Sequence, residues 1–175
     1  LFRWASKNRV PIFAHCTPKG FESRASMGAR SDPIYWRRVL EQPDCKNLRL
    51  CLGHAGGAEE WCSDTLGPYA RTVIELCSRY ENVYCEFGHF EEVLDPRLAA
   101  IMKKNLELVA LNLSNEPTEF GSKIMFGSDW HIVSAFNNRA AEYRDAFTEL
   151  FSNDLQPLGD GFFRDDALSF LEWGV

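Results

Sequence analysis

Short apolar runs alternate with longer amphipathic stretches along this chain, and each run ends on a polar residue capable of chemistry. Val10-Pro11-Ile12-Phe13-Ala14 ends on His15, and Leu48-Arg49-Leu50-Cys51-Leu52-Gly53 ends on His54. Val83-Tyr84-Cys85-Glu86-Phe87-Gly88 runs into His89, and Ile124-Met125-Phe126-Gly127-Ser128 into Asp129. Runs of this length bounded by turn residues predict strands. Helical spacing fills the intervals. Tyr35, Trp36, Val39 and Leu40 follow Asp32-Pro33, which read as N-cap and first helical position, and Pro43 marks the end. Ala70, Val73, Ile74 and Cys77 predict a helix from about Tyr69 to Tyr80. A third starts near Asp95-Pro96 and is expected to bury Leu98, Ile101, Met102 and Val109. A fourth follows Asn138 with Ala140, Tyr143, Phe147, Leu150 and Phe151 on one side, and a closing helix is expected from about Phe163 to Trp173. Thr17 to Arg30 reads as a long loop.

Four successive strand–helix units predict a parallel sheet with right-handed crossovers. His15 and His54 lie 39 residues apart, and Asp129 lies 75 beyond His54 with one further strand between. One unit per ~35–40 residues suits a TIM (β/α)8 barrel, in which the C-terminal strand ends converge on one catalytic mouth. A lone histidine or aspartate at a strand end is ordinary; the recurrence at matching places points to one metal-dependent site. Neutral imidazole and carboxylate suit Zn²⁺ first, and Mn²⁺ or Fe²⁺ after it. Strand alternation puts Met125, Gly127 and Asp129 on one face and Ile124, Phe126 and Ser128 on the other. The same rule puts Glu86 with Tyr84 and Gly88, so Glu86 is either an interior acid or a sign that a bulge shifts the strand. The Gly56-Gly57 pair allows close backbone approach beside His54 or makes a tight strand-to-helix turn. Lys19, Arg24 and Arg30 either clamp an anionic substrate or form an ordinary solvated loop surface.

Pro11-Ile12-Phe13-Ala14-His15-Cys16, Gly53-His54-Ala55-Gly56-Gly57 and Phe126-Gly127-Ser128-Asp129-Trp130 together resemble the amidohydrolase superfamily. Within it they are most like the branch of the amidohydrolase-2 proteins and the non-oxidative aromatic acid decarboxylases. The resemblance runs from Leu1 to Val175 and implies the C-terminal half of the barrel, strands five to eight with their helices, as one domain. It implies His15 as a metal ligand, His54 as a catalytic or substrate-polarising histidine, and Asp129 as a ligand that also moves protons. Lys19, Arg24, Glu86, His89 and His131 are the expected substrate-binding set. His131 departs from the family, which often has proline after the Asp-Trp pair, and the His-x-His of the family's first strand does not occur here. Leu1-Phe2-Arg3-Trp4-Ala5-Ser6-Lys7 resembles the last turns of a helix, as if the chain began inside the fourth barrel helix. The implied activity is hydrolysis of a small cyclic, amide or ester-like substrate. The alternatives are decarboxylation of a small aromatic or unsaturated acid, and an inactive piece acting only as a folding or assembly unit.

Composition narrows the partners. At 175 residues, 45% hydrophobic and 25% charged, the chain has the make-up of an ordinary globular domain. A net charge of −6 argues against a nucleic-acid binder, and no apolar stretch approaches the ~20 residues of a membrane span. Six cysteines without CxxC spacing read as small hydrophobes in a reducing, cytoplasmic compartment. A half barrel leaves the strands ending at His15 and Asp129 without neighbours. It would also open an interior face of Phe13, Leu50, Leu52 and Met125 to water. The expected partners are therefore a small-molecule substrate and the N-terminal half of the same barrel, with homo-oligomerisation as another way to cover the seam.

Overall fold

The computed structural model describes residues 1–19, 27–136 and 139–172. Its strands are β1 (Ile12–His15), β2 (Leu50–Gly53), β3 (Val83–Phe87) and β4 (Ile124–Phe126). Its helices are α1 (Phe2–Lys7), α2 (Ile34–Leu40), α3 (Ala58–Trp61), α4 (Pro68–Arg79), α5 (Pro96–Ala110), α6 (Trp130–Phe136), α7 (Ala140–Leu150) and α8 (Asp166–Leu171). The strands form one parallel sheet in chain order, β1-β2-β3-β4. This is an α/β architecture consistent with part of a barrel.

Register determines which side chains share a face. The rows Ile12–Leu50–Val83, Ala14–Leu52–Cys85–Ile124 and Phe87–Phe126 all turn towards the helices and join the main core. The intervening rows, Phe13–Cys51–Tyr84 and His15–Gly53–Glu86–Met125, turn the other way. Leu50 and Leu52 are therefore not interior residues, as the sequence suggested, but are fully buried under the helices. The strand reads Leu-Cys-Leu-Gly, with no polar residue to mark a face, so only the neighbours' register reveals its parity.

The helix side is held by large apolar side chains, each contributing roughly 1.5–3 kcal/mol on full burial. Phe126, Tyr143, Phe147, Phe151 and Phe162 form a continuous aromatic cluster in which Phe151 and Phe162 stack at 4.0 Å. Helix ends are tied down by charge. Asp95 accepts the Arg97 and Leu98 N–H groups at the start of α5, with Pro96 at its first position. The Tyr69 N–H at the start of α4 donates to Glu60, and Lys123 Nζ donates to the Cys77 and Tyr80 carbonyls at its end. Asp32 accepts the Ile34 N–H at the start of α2. In α5 the fully buried residues are Met102, Asn105, Leu106 and Ala110; Leu98, Ile101 and Val109 are only half-buried.

Two elements escape the sequence pattern. A turn at His54–Gly56 leads into α3, and α6 follows Asp129 directly. The closing helix expected from Phe163 to Trp173 is a wide turn at Gly161–Asp165 followed by α8, and Trp173 lies outside the described residues. This segment passes around β4: Phe162 packs on the helix side, whereas Phe170 reaches Cys51, Met125 and Tyr84 on the inner face. Glu172 then bonds Arg9 and Arg49. The inner face is thus covered in part, with Met125 buried and Phe13 exposed. All six cysteines are free thiols, and burial pushes Cys16 upward in pKa, which makes it a packing residue and not a nucleophile. Among the described residues no helix is long and apolar enough to cross a membrane.

Asp166 gives the fold a measurable signature. It accepts the Ile124 N–H at the start of β4, and its Oδ2 is buried without a hydrogen-bond partner. Burial raises its carboxyl to about 7 from 3.8, against that N–H and with help from Asp165. A raised folded-state pKa favours the protonated form in the fold, so its stabilising contribution is complete below about pH 4 and is lost as pH climbs towards 7. Asp166→Asn keeps an acceptor and removes the charge. Its stability in urea should pull ahead of the wild type across pH 4 to 7, by an amount on the order of a few kcal/mol at the top of that window. Parallel stability–pH curves for the two proteins would contradict this assignment.

Candidate active site

The row His15–Gly53–Glu86–Met125 places one imidazole and one carboxyl at the C-terminal end of the inner face, and the next residues turn into the mouth. Three of those turns use left-handed backbone at non-glycine residues: His54 (φ 63°) and Ala55 (φ 45°), His89 (φ 59°), and Asp129 (φ 45°). Such conformations cost about 1–3 kcal/mol each and persist only where the surroundings hold them. Gly56 and Gly57 continue the first turn at φ 93° and 101°, and a Cβ at Gly56 would come within 2.9 Å of the α4 backbone. The glycine pair therefore makes the tight turn from β2 towards α3.

All four histidines of the chain line one cleft of about 420 Å³, with Asp129, Thr17, Lys19, Glu59 and Glu92. The His15 and His54 rings meet edge-on at 4.8 Å, and His89 lies 6.4 Å beyond His54. The Asp129 carboxylate sits between two histidines, 3.8 Å from His89 Nδ1 and 3.5 Å from His131 Nε2. His15, His54 and Asp129, far apart in sequence, thus face one mouth. Burial, then the adjacent His54, lowers the pKa of His15 against the pull of Asp129, so its imidazole stays neutral at neutral pH with a lone pair available.

His54 is oriented from two sides. Its Nδ1 lies 2.9 Å from the Gly88 carbonyl, which can only accept, so Nδ1 carries the proton and Nε2 is left for a ligand or substrate. Its backbone N–H donates to Glu86 Oε2 at 3.0 Å. Glu86 is thus an interior acid. The register through β3 is regular, so no bulge shifts it outward. A Cβ at Gly88 or Gly127 would collide with its carboxylate, which needs both glycines for space. Burial is the main cause of its raised pKa, opposed by the His54 N–H and ring and reinforced by Asp129.

The remaining expected site residues separate. Lys19 reaches the rim, where it lies 3.8 Å from Glu59 and is not a free cation. Arg24 lies outside the described residues, and Arg30 is exposed on the turn before α2. His89 and His131 line the cleft; Glu86 lies beneath it, bonded to His54. The motifs gave no notice of Glu59 and Glu92. Both follow strand-end turns, and burial followed by the neighbouring Glu59 raises the Glu92 carboxyl. Loop acids just after each strand end were the available signal.

A family model described as amidohydrolase matches residues 1–164. No curated protein and no solved structure matches the chain.

Glu86 can be tested separately from any reaction. Glu86→Ala leaves the His54 N–H without its acceptor and should cost about 1–3 kcal/mol in urea unfolding. Glu86→Gln keeps an acceptor and removes a charge that burial disfavours, so at pH 7 it should lose much less than Glu86→Ala, or gain. Equal losses in the two variants would mean that the hydrogen bond to His54 carries no stability.

Proposed function

Because this chain belongs to the amidohydrolase family, whose chemistry is of the hydrolase and lyase type, we propose that it supplies the C-terminal half of a metal-dependent hydrolase barrel. The substrate in this proposal is a small cyclic, amide or ester-like molecule. The observation that carries it is the convergence of His15, His54, His89 and Asp129 on one cleft at the strand ends.

The donor types fit a divalent ion, Zn²⁺ first and Mn²⁺ or Fe²⁺ next. His15 offers a neutral imidazole and Asp129 a carboxylate facing the same cleft. Among the described residues no three His, Cys, Asp or Glu side chains are grouped to hold an ion, so this proposal draws the remaining donors from the rest of the barrel. When bound, such an ion would act as a Lewis acid and make water a stronger nucleophile. The chain's own residues then handle protons and charge. Asp129 takes the proton of the attacking water and returns it to the departing nitrogen or oxygen as the C–N or C–O bond breaks. His54, fixed by Gly88 and Glu86, points Nε2 at the carbonyl oxygen, and its doubly protonated ring donates Nε2–H there as negative charge develops. Decarboxylation would use the same ion to hold a substrate carboxylate. Lys19, the other cation at the described cleft, is paired with Glu59, which leaves a hydrolysed neutral substrate as the first reading.

The proposal is tested in the intact polypeptide by assaying lactone, ester and amide hydrolysis alongside carbon dioxide release from hydroxylated aromatic acids. Hydrolysis is expected, Asp129→Asn should abolish it, and His54→Ala should slow turnover roughly 10²–10⁴-fold. Carbon dioxide release without hydrolysis would overturn the reading in favour of a lyase, and near-normal turnover in His54→Ala would remove that residue from the mechanism.

A further inference from the structure

Tyr143 stands on α7, fully buried in the aromatic cluster between Phe126 and Phe147. A phenol in such a place must find polar partners, and the partners it finds are all backbone groups at the strand ends. Its hydroxyl lies 2.8 Å from the Phe87 carbonyl and 3.1 Å from the Gly127 carbonyl, and it accepts the Phe90 N–H at 3.2 Å. Phe87 and Gly127 each stand two residues before a left-handed residue of the cleft, His89 and Asp129 respectively. Phe87 and Phe90 also bracket Gly88, whose carbonyl fixes the His54 ring.

We propose that Tyr143 is a positioning residue: one hydroxyl, bridging the ends of β3 and β4, holds the turns that aim His89 and Asp129 and the carbonyl that aims His54. The bridge is well suited to this. A single O–H shared between two carbonyls and closed by an incoming N–H fixes three backbone points on two neighbouring strands. The ring is locked by Phe126 and Phe147, so the hydroxyl has no freedom to follow a drifting turn. The helix that carries it lies on the far side of the sheet from the cleft, so Tyr143 touches no substrate and acts only through the backbone. Its consequence for turnover rests on the hydrolase reading; its consequence for histidine geometry does not.

The test is Tyr143→Phe in the intact polypeptide, compared with Phe147→Leu, which loosens the same aromatic cluster without touching the bridged carbonyls. The first readout is the set of imidazole nitrogen signals in NMR at neutral pH. The His54 ring should lose its fixed Nδ1–H form and the His89 ring signals should shift in Tyr143→Phe, whereas in Phe147→Leu both stay as in the wild type. The second readout is kinetic: kcat should fall ~10–100-fold with KM changed little, the size typical of residues that orient an active-site group from behind. Unchanged ring signals in Tyr143→Phe, or equal changes in both variants, would overturn the proposal. Shifted signals in a protein without hydrolytic activity would leave the positioning role standing and remove the hydrolase reading instead. Amide exchange of the wild type needs no variant to fold: the Phe90 N–H, bonded to this hydroxyl, should be protected, and free exchange there would refute the bridge.

Discussion

In a parallel sheet without bulges, neighbouring strands share their rows of side chains, and here the row His15–Gly53–Glu86–Met125 sets the arrangement of everything above it. Every residue on alternate rows is apolar and joins or packs against the helix-side core. The inner rows carry the polar groups, and all strands reach their C-terminal ends at one level. A shift of one residue in β1 or β3 would turn His15 or Glu86 towards the helix side of the sheet. The apolar burial on one side of the sheet therefore enforces the chemistry on the other.

Above that row the backbone is held against its own preference. His54, Ala55, His89 and Asp129 all sit at positive φ, each at a cost of about 1–3 kcal/mol. The compensating interactions are polar and local. Glu86 accepts the His54 N–H, the Gly88 carbonyl takes the His54 ring proton, and Tyr143 bridges β3 to β4. Glycines at 88 and 127 leave room for the Glu86 carboxylate. The site is accordingly a layered one, with aromatic packing fixing a phenol, the phenol fixing backbone, and the backbone aiming histidines.

Much of this was legible in the sequence, for definite reasons. The strands announced themselves as apolar runs closed by His15, His54, His89 and Asp129. The helices α4, α5 and α7 showed helical spacing, and Asp95-Pro96 marked a true cap. What stayed hidden depended on contacts distant in sequence. Leu50 and Leu52 were assigned to the inner face because their strand carries no polar marker, and only pairing with β1 and β3 corrects it. The helix α6 opens on Trp-His-Ile-Val, whose β-branched residues carry no helical signal, and α3 has a single turn. Glu86 was ambiguous until the register showed no bulge. Tyr143 read as one more apolar position on α7, since no spacing rule foretells that its hydroxyl meets two strand ends.

We propose that the strand ends form one divalent-metal site at the cleft of His15, His54 and Asp129. Titrating Mn²⁺ into the intact polypeptide while following the four histidine ring signals tests it most directly, because paramagnetic broadening reports distance from the ion. The account predicts that His15 and His54 broaden first at substoichiometric Mn²⁺, with His89 and His131 close behind, and that Asp129→Asn removes the effect at the same concentration. Broadening spread over surface carboxylates, with the four imidazoles unaffected, would contradict it.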